Sequence, residues 1–373
     1  MTRMTHHPLH STWLDIDLDA IQRNTARLHD RCRAAVMAVV KAGGYGHGAA
    51  PAARAAQRGG AGWIGTARLE EGLELRRQGV EGAVLVFGFT PAERVAEALE
   101  ARLSLTVWSL DQLEAAGAAA SASGLTAAVH VKVDSGMNRI GLLPNDAVEF
   151  VRQATETAGV TCQGVYTHFA CADASARRPT EKQQAAFSGV VQALQAAGLR
   201  PEWVHAANSA GALAYPEARW DMVRSGVGLY GMHPSPEVPL PDEFEAALQW
   251  KSRLTLVKVV PPGQGVSYGH AYTTRGEERL GTVSVGYADG FRRVDGNLVL
   301  VGGRRVPVIG RVCMDQCLVL LDSVPEARAC DEVVLLGSQG EERVTAEEIG
   351  ARWGTINYEV TCGITERVAR VYR

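Results

Sequence analysis

The chain has 373 residues, 46% of them hydrophobic and 21% charged, and a net charge of −3. That is the balance of a soluble globular protein of about two domains, and without a long basic run it argues against a nucleic-acid partner. Seven scattered cysteines, an odd number with no Cys-x-x-Cys pair, argue against a disulfide framework and a structural zinc site and fit reduced thiols in a cytoplasm. The start, Met1 to Ser11, is polar and rich in His, without the apolar core a signal peptide needs. No apolar run is long enough to cross a bilayer, so no membrane association is expected.

From Trp13 the pattern is strand-like, and Asp19 is placed to cap a helix running to about Cys32. Short apolar runs then alternate with helical ones. The expected strands are 35–40, 62–67, 83–87, 103–107, 127–133, 163–168, 203–207 and 222–229. Alanine-rich amphipathic stretches lie between them, over 68–78, 91–101, 111–120, 145–158 and 181–197, with Pro91 and Pro144 where helices begin. About eight strands alternating with helices predict an N-terminal (β/α)8 barrel of the TIM type, with a doubly wound open sheet as the alternative. The cadence stops at a proline-rich stretch, 234–241, which reads as a boundary. Beyond it the runs 253–260, 281–285, 298–301, 306–309, 316–321 and 332–336 are strand-like. Residues 344–353 look helical, with Thr345 and Glu348 spaced as a capping box. The expected fold is therefore α/β: a barrel domain over 1–240, followed by a mainly β domain over 241–373.

The unusual polar residues gather where barrels do chemistry, at the carboxyl ends of strands. The run Ala38-Val39-Val40-Lys41-Ala42-Gly43-Gly44-Tyr45-Gly46-His47-Gly48 ends the first strand on a lysine and continues in glycine-rich chain. Burial lowers a lysine's pKa, and an amine that can lose its proton can form a Schiff base. A solvated lysine at a strand-to-loop junction is the plainer alternative. Asp134-Ser135-Gly136-Met137-Asn138-Arg139 follows the fifth strand, and His168 closes the sixth. His205 to Ala210 span the end of the seventh, and Val223 to Gly228 lie on the eighth. Each alone is compatible with a turn or a satisfied core group; five at one end of a barrel point to a site. Loops after strands seven and eight often hold phosphate in such barrels. Asn208-Ser209 and Ser225-Gly226-Val227 sit there, where backbone N–H groups can cradle an oxyanion, and Tyr45 adds a hydroxyl.

In order and nearly in spelling, these stretches resemble the motifs of the alanine racemase family. The lysine run is similar to that family's Val-Val-Lys-Ala-Asn-Ala-Tyr-Gly-His-Gly, with Gly43 and Gly44 replacing Asn and Ala, a change expected to loosen the loop. His130 to Gly141 resembles His-Leu-Lys-x-Asp-Thr-Gly-Met-x-Arg-x-Gly. Gly265-Val266-Ser267-Tyr268-Gly269 and the stretches 285–290, 310–316 and 355–359 match further blocks, so the resemblance runs from Thr12 to Tyr372.

The resemblance implies a pyridoxal-phosphate (PLP) racemase of alanine, supplying D-alanine for peptidoglycan. Lys41 would hold PLP and move the proton on one face of the substrate Cα, and Tyr268 would serve the other face. Phenols ordinarily ionise near pH 10, so a Tyr268–His168–Arg224 hydrogen-bond chain would supply cationic help. Arg224 would meet the pyridine nitrogen and, being only a donor, leave it largely unprotonated, which limits side reactions. Tyr45, Asn208, Ser209, Gly226, Val227 and Tyr358 would hold the phosphate. Arg139 would contact the phenolic oxygen and the substrate carboxylate, and Met314 would offer that carboxylate its backbone N–H. Lys132 would be carbamylated, turning a cation into an anion that holds Arg139. Asp173, Tyr287, Arg293, Arg311 and Ile356 resemble the channel that screens substrates. The resemblance also implies a homodimer whose β domains complete the partner's sites, and no metal. The alternatives are a serine or broad-specificity racemase, a barrel-type PLP decarboxylase and a non-catalytic PLP carrier.

Overall fold

The computed structural model describes residues 10–373; residues 1–9, most of the stretch read as lacking a leader, lie outside it. The first strand is β1 (Thr12–Ile16). Eight parallel strands follow: β2 (Ala35–Val39), β3 (Ala61–Thr66), β4 (Ala83–Val86), β5 (Ser104–Val107), β6 (Ala127–Lys132), β7 (Val160–Tyr166), β8 (Trp203–His205) and β9 (Met222–Ser225). They pair in the order β8-β7-β6-β5-β4-β3-β2-β9. Two backbone bonds close the seam between β8 and β9: Asp221 N–H to Val204 O at 3.1 Å and Arg224 N–H to Ala207 O at 2.9 Å. The strands are buried almost throughout because helices cover one side and side chains fill the other. Met37, Trp63, Leu85 and Met222 form one layer of that filling.

The helices between strands follow from local signals. Leu110–Ser123 starts at Ser109, whose N–H donates to the side chain of Gln112 at 3.1 Å, and stops at Gly124, which is left-handed at φ 69°. Three expectations shift. Asp19 lies inside the first turn of the helix Leu18–Cys32, where its charge suits the helix start, instead of capping it. A helix over Ala49–Arg58, rich in alanine, was not anticipated. The last barrel strand ends at Ser225, short of Leu229: the N–H groups of Gly226 and Gly228 turn onto Ser209 Oγ (3.0 and 3.4 Å), and Val227–Tyr230 winds as a 3-10 turn.

The rest is β. Its strands are β10 (Leu248–Val260), β11 (Gly265–Val266), β12 (Tyr272–Thr273), β13 (Glu278–Val283), β14 (Leu298–Val301), β15 (Arg304–Ile309), β16 (Cys317–Leu320), β17 (Glu332–Gln339), β18 (Glu342–Val344) and β19 (Ala369–Tyr372). The sheet order is β18-β17-β14-β15-β16-β13-β10-β1-β19, and a further β17–β10 pairing closes β17, β14, β15, β16, β13 and β10 on themselves. Trp250, Phe291 and Trp353 meet edge-on inside this unit. The helix Ala346–Trp353 is capped as expected by Thr345 Oγ1, which accepts from Glu348 N–H at 3.1 Å. The Glu348 carboxylate does not return to the cap; Arg305 and Arg352 take it.

The compact units are Asp19–Ala246 and, in one body, the described residues up to Leu18 with Ala247–Arg373. A single cut at 240/241 does not describe that arrangement, because β1 pairs antiparallel with β10 and parallel with β19. Asp15 anchors the exchange: its buried carboxylate accepts from Trp13 Nε1 at 3.2 Å and pairs with Lys251 (3.3 Å) and Arg373 (2.9 Å). Among the described residues, no helix is long and apolar enough to cross a membrane.

Candidate active site

Lys41 follows β2 directly, and the chain beyond it turns left-handed for five residues. Ala42, Gly43, Gly44, Tyr45 and Gly46 have φ of 53°, 62°, 65°, 54° and 87°. A left-handed residue with a side chain costs about 1–2 kcal/mol, so glycine at 43 and 44 relieves strain in a conformation the turn already requires. The turn is tied down. Gly44 N–H donates to Val40 O at 2.8 Å and Gly48 N–H to Gly43 O at 2.7 Å. His47 Nδ1 faces the carbonyls of Gly44 (3.1 Å) and Tyr45 (3.0 Å), and two acceptors there require the ring to carry its proton on that nitrogen. Ala42 N–H donates to Glu71 Oε1 at 2.6 Å, while Glu71 Oε2 accepts from Ala67 and Arg68 N–H after β3.

The register β2–β9 sets Ala38 against Ser225, so the Lys41 turn and the Gly226 turn leave the barrel side by side. A Cβ added to Gly226 would lie 2.3 Å from Tyr45 Oη, which is why only glycine fits beneath that hydroxyl. Ser209 Oγ sits 3.1 Å from Ser225 Oγ and accepts from Gly226 N–H. Tyr45 and Ser209 thus bring two hydroxyls together at the Gly226–Val227 turn. Asn208 is next to it, but its side-chain oxygen is spent on Gly211 N–H at 2.9 Å, capping the helix Ser209–Ala214.

Arg224 is the hub of the barrel mouth. Nη1 donates to His205 Nδ1 at 3.0 Å. Nη2 donates to Thr167 O (2.8 Å), Ala206 O (2.9 Å) and His168 Nδ1 (3.1 Å). Its Nε makes no hydrogen bond to a described residue. Burial lowers the Arg224 pKa to about 10, and it stays charged at neutral pH. Burial first, then Arg224, holds His205 and His168 well below the usual imidazole range, so both are neutral acceptors. The charges of Arg139, Lys132 and Lys41 also bear on His168, a measure of how closely these groups converge.

Arg139 rides on a loop built around one carboxylate. Asp134 Oδ1 accepts from the N–H groups of Gly136 (2.9 Å), Met137 (2.9 Å) and Asn138 (3.1 Å), and Oδ2 from Arg139 (3.1 Å). Burial works to raise the Asp134 pKa, but the backbone bonds and Lys132 outweigh it and keep the group lowered. Lys132, buried at the end of β6, donates from Nζ to Val133 O at 2.7 Å and lies 5.5 Å over the Tyr166 ring. Burial, then Arg224, lowers its pKa to about 7. Sequence reasoning placed Asp134 in the stretch after the fifth strand without seeing its role, and it missed Glu71. The acidic residue two to five positions before a run of amides, and the one three positions into the helix Leu69–Arg77, were the only signs available.

In the β unit, Tyr268 opens a 3-10 turn after β11 and is 67% exposed; Met314 is 52% exposed. Together with Ser267, His270, Cys313 and Asp315 they border a hollow of about 760 Å³. Met314 N–H makes no hydrogen bond to a described residue. Arg293 and Arg311 border a second hollow of about 470 Å³. Tyr287 and Ile356 are exposed on the same unit, Tyr358 is on its helix Asn357–Cys362, and Asp173 is exposed on the barrel unit.

Against known proteins, the family model "Alanine racemase, N-terminal domain" matches residues 16–234 and "Alanine racemase, C-terminal domain" matches residues 247–372. The chain belongs to the alanine racemase family. The alanine racemase of Desulfovibrio desulfuricans is 42% identical over 364 residues, covering 96% of this chain and 97% of that one. That of Symbiobacterium thermophilum is 43% identical with 97% of each covered. The solved alanine racemase of Streptomyces lavendulae superposes with a TM-score of 0.93 at 41% identity, over 98% of both chains. That of Bacillus anthracis, solved with bound L-Ala-P, gives 0.92 at 37%, over 98% of this chain and 96% of that one. The chain is accordingly an amino-acid isomerase of the barrel-plus-β plan.

PLP is the cofactor of this family, and the residues fit it. An amine follows β2, the Tyr45 and Ser209 hydroxyls gather at the Gly226 turn for a phosphate, and the buried Arg224 has its Nε–H uncommitted for a ring acceptor.

Proposed function

We propose that the chain interconverts L- and D-alanine by moving the Cα proton between two bases, Lys41 and Tyr268, with PLP held in the barrel. The observation that carries this is the convergence, at one barrel mouth, of Lys41, the Tyr45–Ser209–Gly226 cluster and an Arg224 whose Nε–H is uncommitted. When bound, the cofactor supplies an electron sink that acidifies the Cα–H of an amino acid joined to it. Lys41 takes or returns that proton on one face and Tyr268 on the other, so neither base has to carry it across to the opposite face.

Arg224 would donate to the pyridine nitrogen without giving up a proton, which would mute the sink and favour simple reprotonation over side reactions. Because Arg224 occupies His168 Nδ1, the neutral His168 ring carries its proton on Nε2. That N–H is suited to hold a phenolate, which is the link proposed toward Tyr268. Tyr45, Ser209, Gly226, Val227 and Tyr358 bind the phosphate, with Asn208 positioning Ser209 through the helix cap. Arg139 and the Met314 N–H bind the substrate carboxylate. Lys132, lowered to about 7, has a reactive neutral amine at physiological pH. Its lone pair adds to carbon dioxide and a proton leaves to water, giving a carbamate that attracts Arg139. Asp173, Tyr287, Arg293, Arg311 and Ile356 screen what enters.

Exposed Tyr268, Met314 and Ile356 are large groups for a lone subunit to leave in water, and a homodimer sharing its sites would cover them. Seven unpaired cysteines suit a cytoplasmic enzyme, whose D-alanine would serve peptidoglycan synthesis. Incubated with PLP and L-alanine, the protein is expected to reach equal amounts of the two enantiomers, since mirror images have equal free energy in water. Unchanged L-alanine, or release of pyruvate or carbon dioxide, would overturn the proposal. Racemisation of serine but not alanine would move the substrate.

A further inference from the structure

Behind His205 lies a third imidazole that the mechanism above does not use. His130, on β6, is wholly buried, and its Nδ1 is 2.9 Å from His205 Nε2. The proton positions along this line are forced. Arg224 only donates, so His205 Nδ1 must accept. A neutral His205 then carries its proton on Nε2 and gives it to His130 Nδ1, which must be a lone pair. The His130 proton is left on Nε2, which is buried and finds no hydrogen-bond partner among the described residues; the Trp63 ring stands edge-on to the imidazole, 5.1 Å between ring centroids.

The barrel makes room for this ring. A Cβ at Gly164, on the neighbouring β7, would lie 2.3 Å from His130 Nδ1, so glycine is required opposite it. Tyr166 stacks on His205 at 4.7 Å and 3° and prevents that ring from swinging away. Burial, then Arg224, holds His130 down to about 3, so the line does not relay protons at neutral pH. It is a fixed row of dipoles that ends on a guanidinium.

We propose that His130 is a positioning residue for racemisation: by accepting from His205 Nε2–H it locks that ring's lone pair onto Arg224 and so fixes the guanidinium. The proposal rests on Arg224 facing the cofactor's pyridine nitrogen. His130→Leu removes the acceptor and leaves a buried N–H unpaired, whereas His130→Asn puts an amide oxygen close to the lost Nδ1. The test is ¹⁵N NMR of histidine-labelled holoenzyme at neutral pH, with kcat and KM for each variant. In the wild type, His205 should be protonated on Nε2 alone and His130 likewise. His130→Leu should blur the single His205 tautomer and lower kcat about tenfold with little change in KM, and His130→Asn should restore most of it. A wild-type His205 protonated on Nδ1 overturns the proposal without any variant. So does a folded His130→Leu enzyme with unchanged His205 signals and kcat, or an equal loss in both variants. The pyridine ¹⁵N signal of labelled PLP in the same samples judges the Arg224 reading separately: a protonated pyridine would sink that reading and leave the His205 result standing.

Discussion

Lys132 is a buried cation whose amine ionises near pH 7 in the fold, against 10.5 for an ordinary lysine. The sign follows directly. Below about pH 7 the amine is charged in folded and unfolded chains alike, and the fold carries the full burial cost. Between about 7 and 10.5 only the unfolded chain keeps the proton, so the cost shrinks as pH rises, and above 10.5 it is gone. In carbon-dioxide-free buffer, Lys132→Met should therefore be more stable than the wild type by about 2–4 kcal/mol at pH 7, with the gap closing toward pH 10. Denaturant unfolding across that range checks it; a constant gap would mean the amine is not the source. At this scale much was legible. Lys41, His168, His205 and Arg224 stand out because each is a polar group at the end of an apolar run. Glu71 did not, and Asp134 stood out only as part of its stretch, because the partners of both are backbone amides, which have no signature in the sequence.

At the scale of elements, the loop 134–139 shows how one side chain sets the conformation of six residues. Four backbone N–H groups converge on the Asp134 carboxylate, and Arg139 is the last of them. Asp134→Asn replaces an anionic acceptor by an amide that also donates, so part of this set is lost. The expected result is a KM for alanine raised about tenfold, with the melting temperature nearly unchanged. An unaltered KM would show that Arg139 does not depend on the loop. The barrel strands were legible from their apolar runs, and the capping Thr345 from its spacing. The end of β9 was not, because Val227-Gly228-Leu229-Tyr230 continues the apolar run while its backbone has already turned onto Ser209. Nor was β1: nothing in Thr12–Ile16 says that its partners are β10 and β19.

For the whole molecule, the proposed dimer makes a prediction by arithmetic. If each site takes Lys41 from one subunit and Tyr268 from its partner, inactive Lys41→Ala and inactive Tyr268→Phe chains can complement. Half of the randomly mixed dimers are hybrids, and each hybrid has one intact site of two, so activity should return to about a quarter of the wild type. No recovery after subunit exchange would place both bases on one chain.

The most direct measurement follows the Cα hydrogen. Started from either enantiomer of alanine in D₂O and stopped early, the reaction should give product that already carries deuterium at Cα, while recovered substrate still holds protium. Product that keeps the substrate's own hydrogen would mean one base carries the proton across, and the account of Lys41 and Tyr268 acting on opposite faces would be wrong.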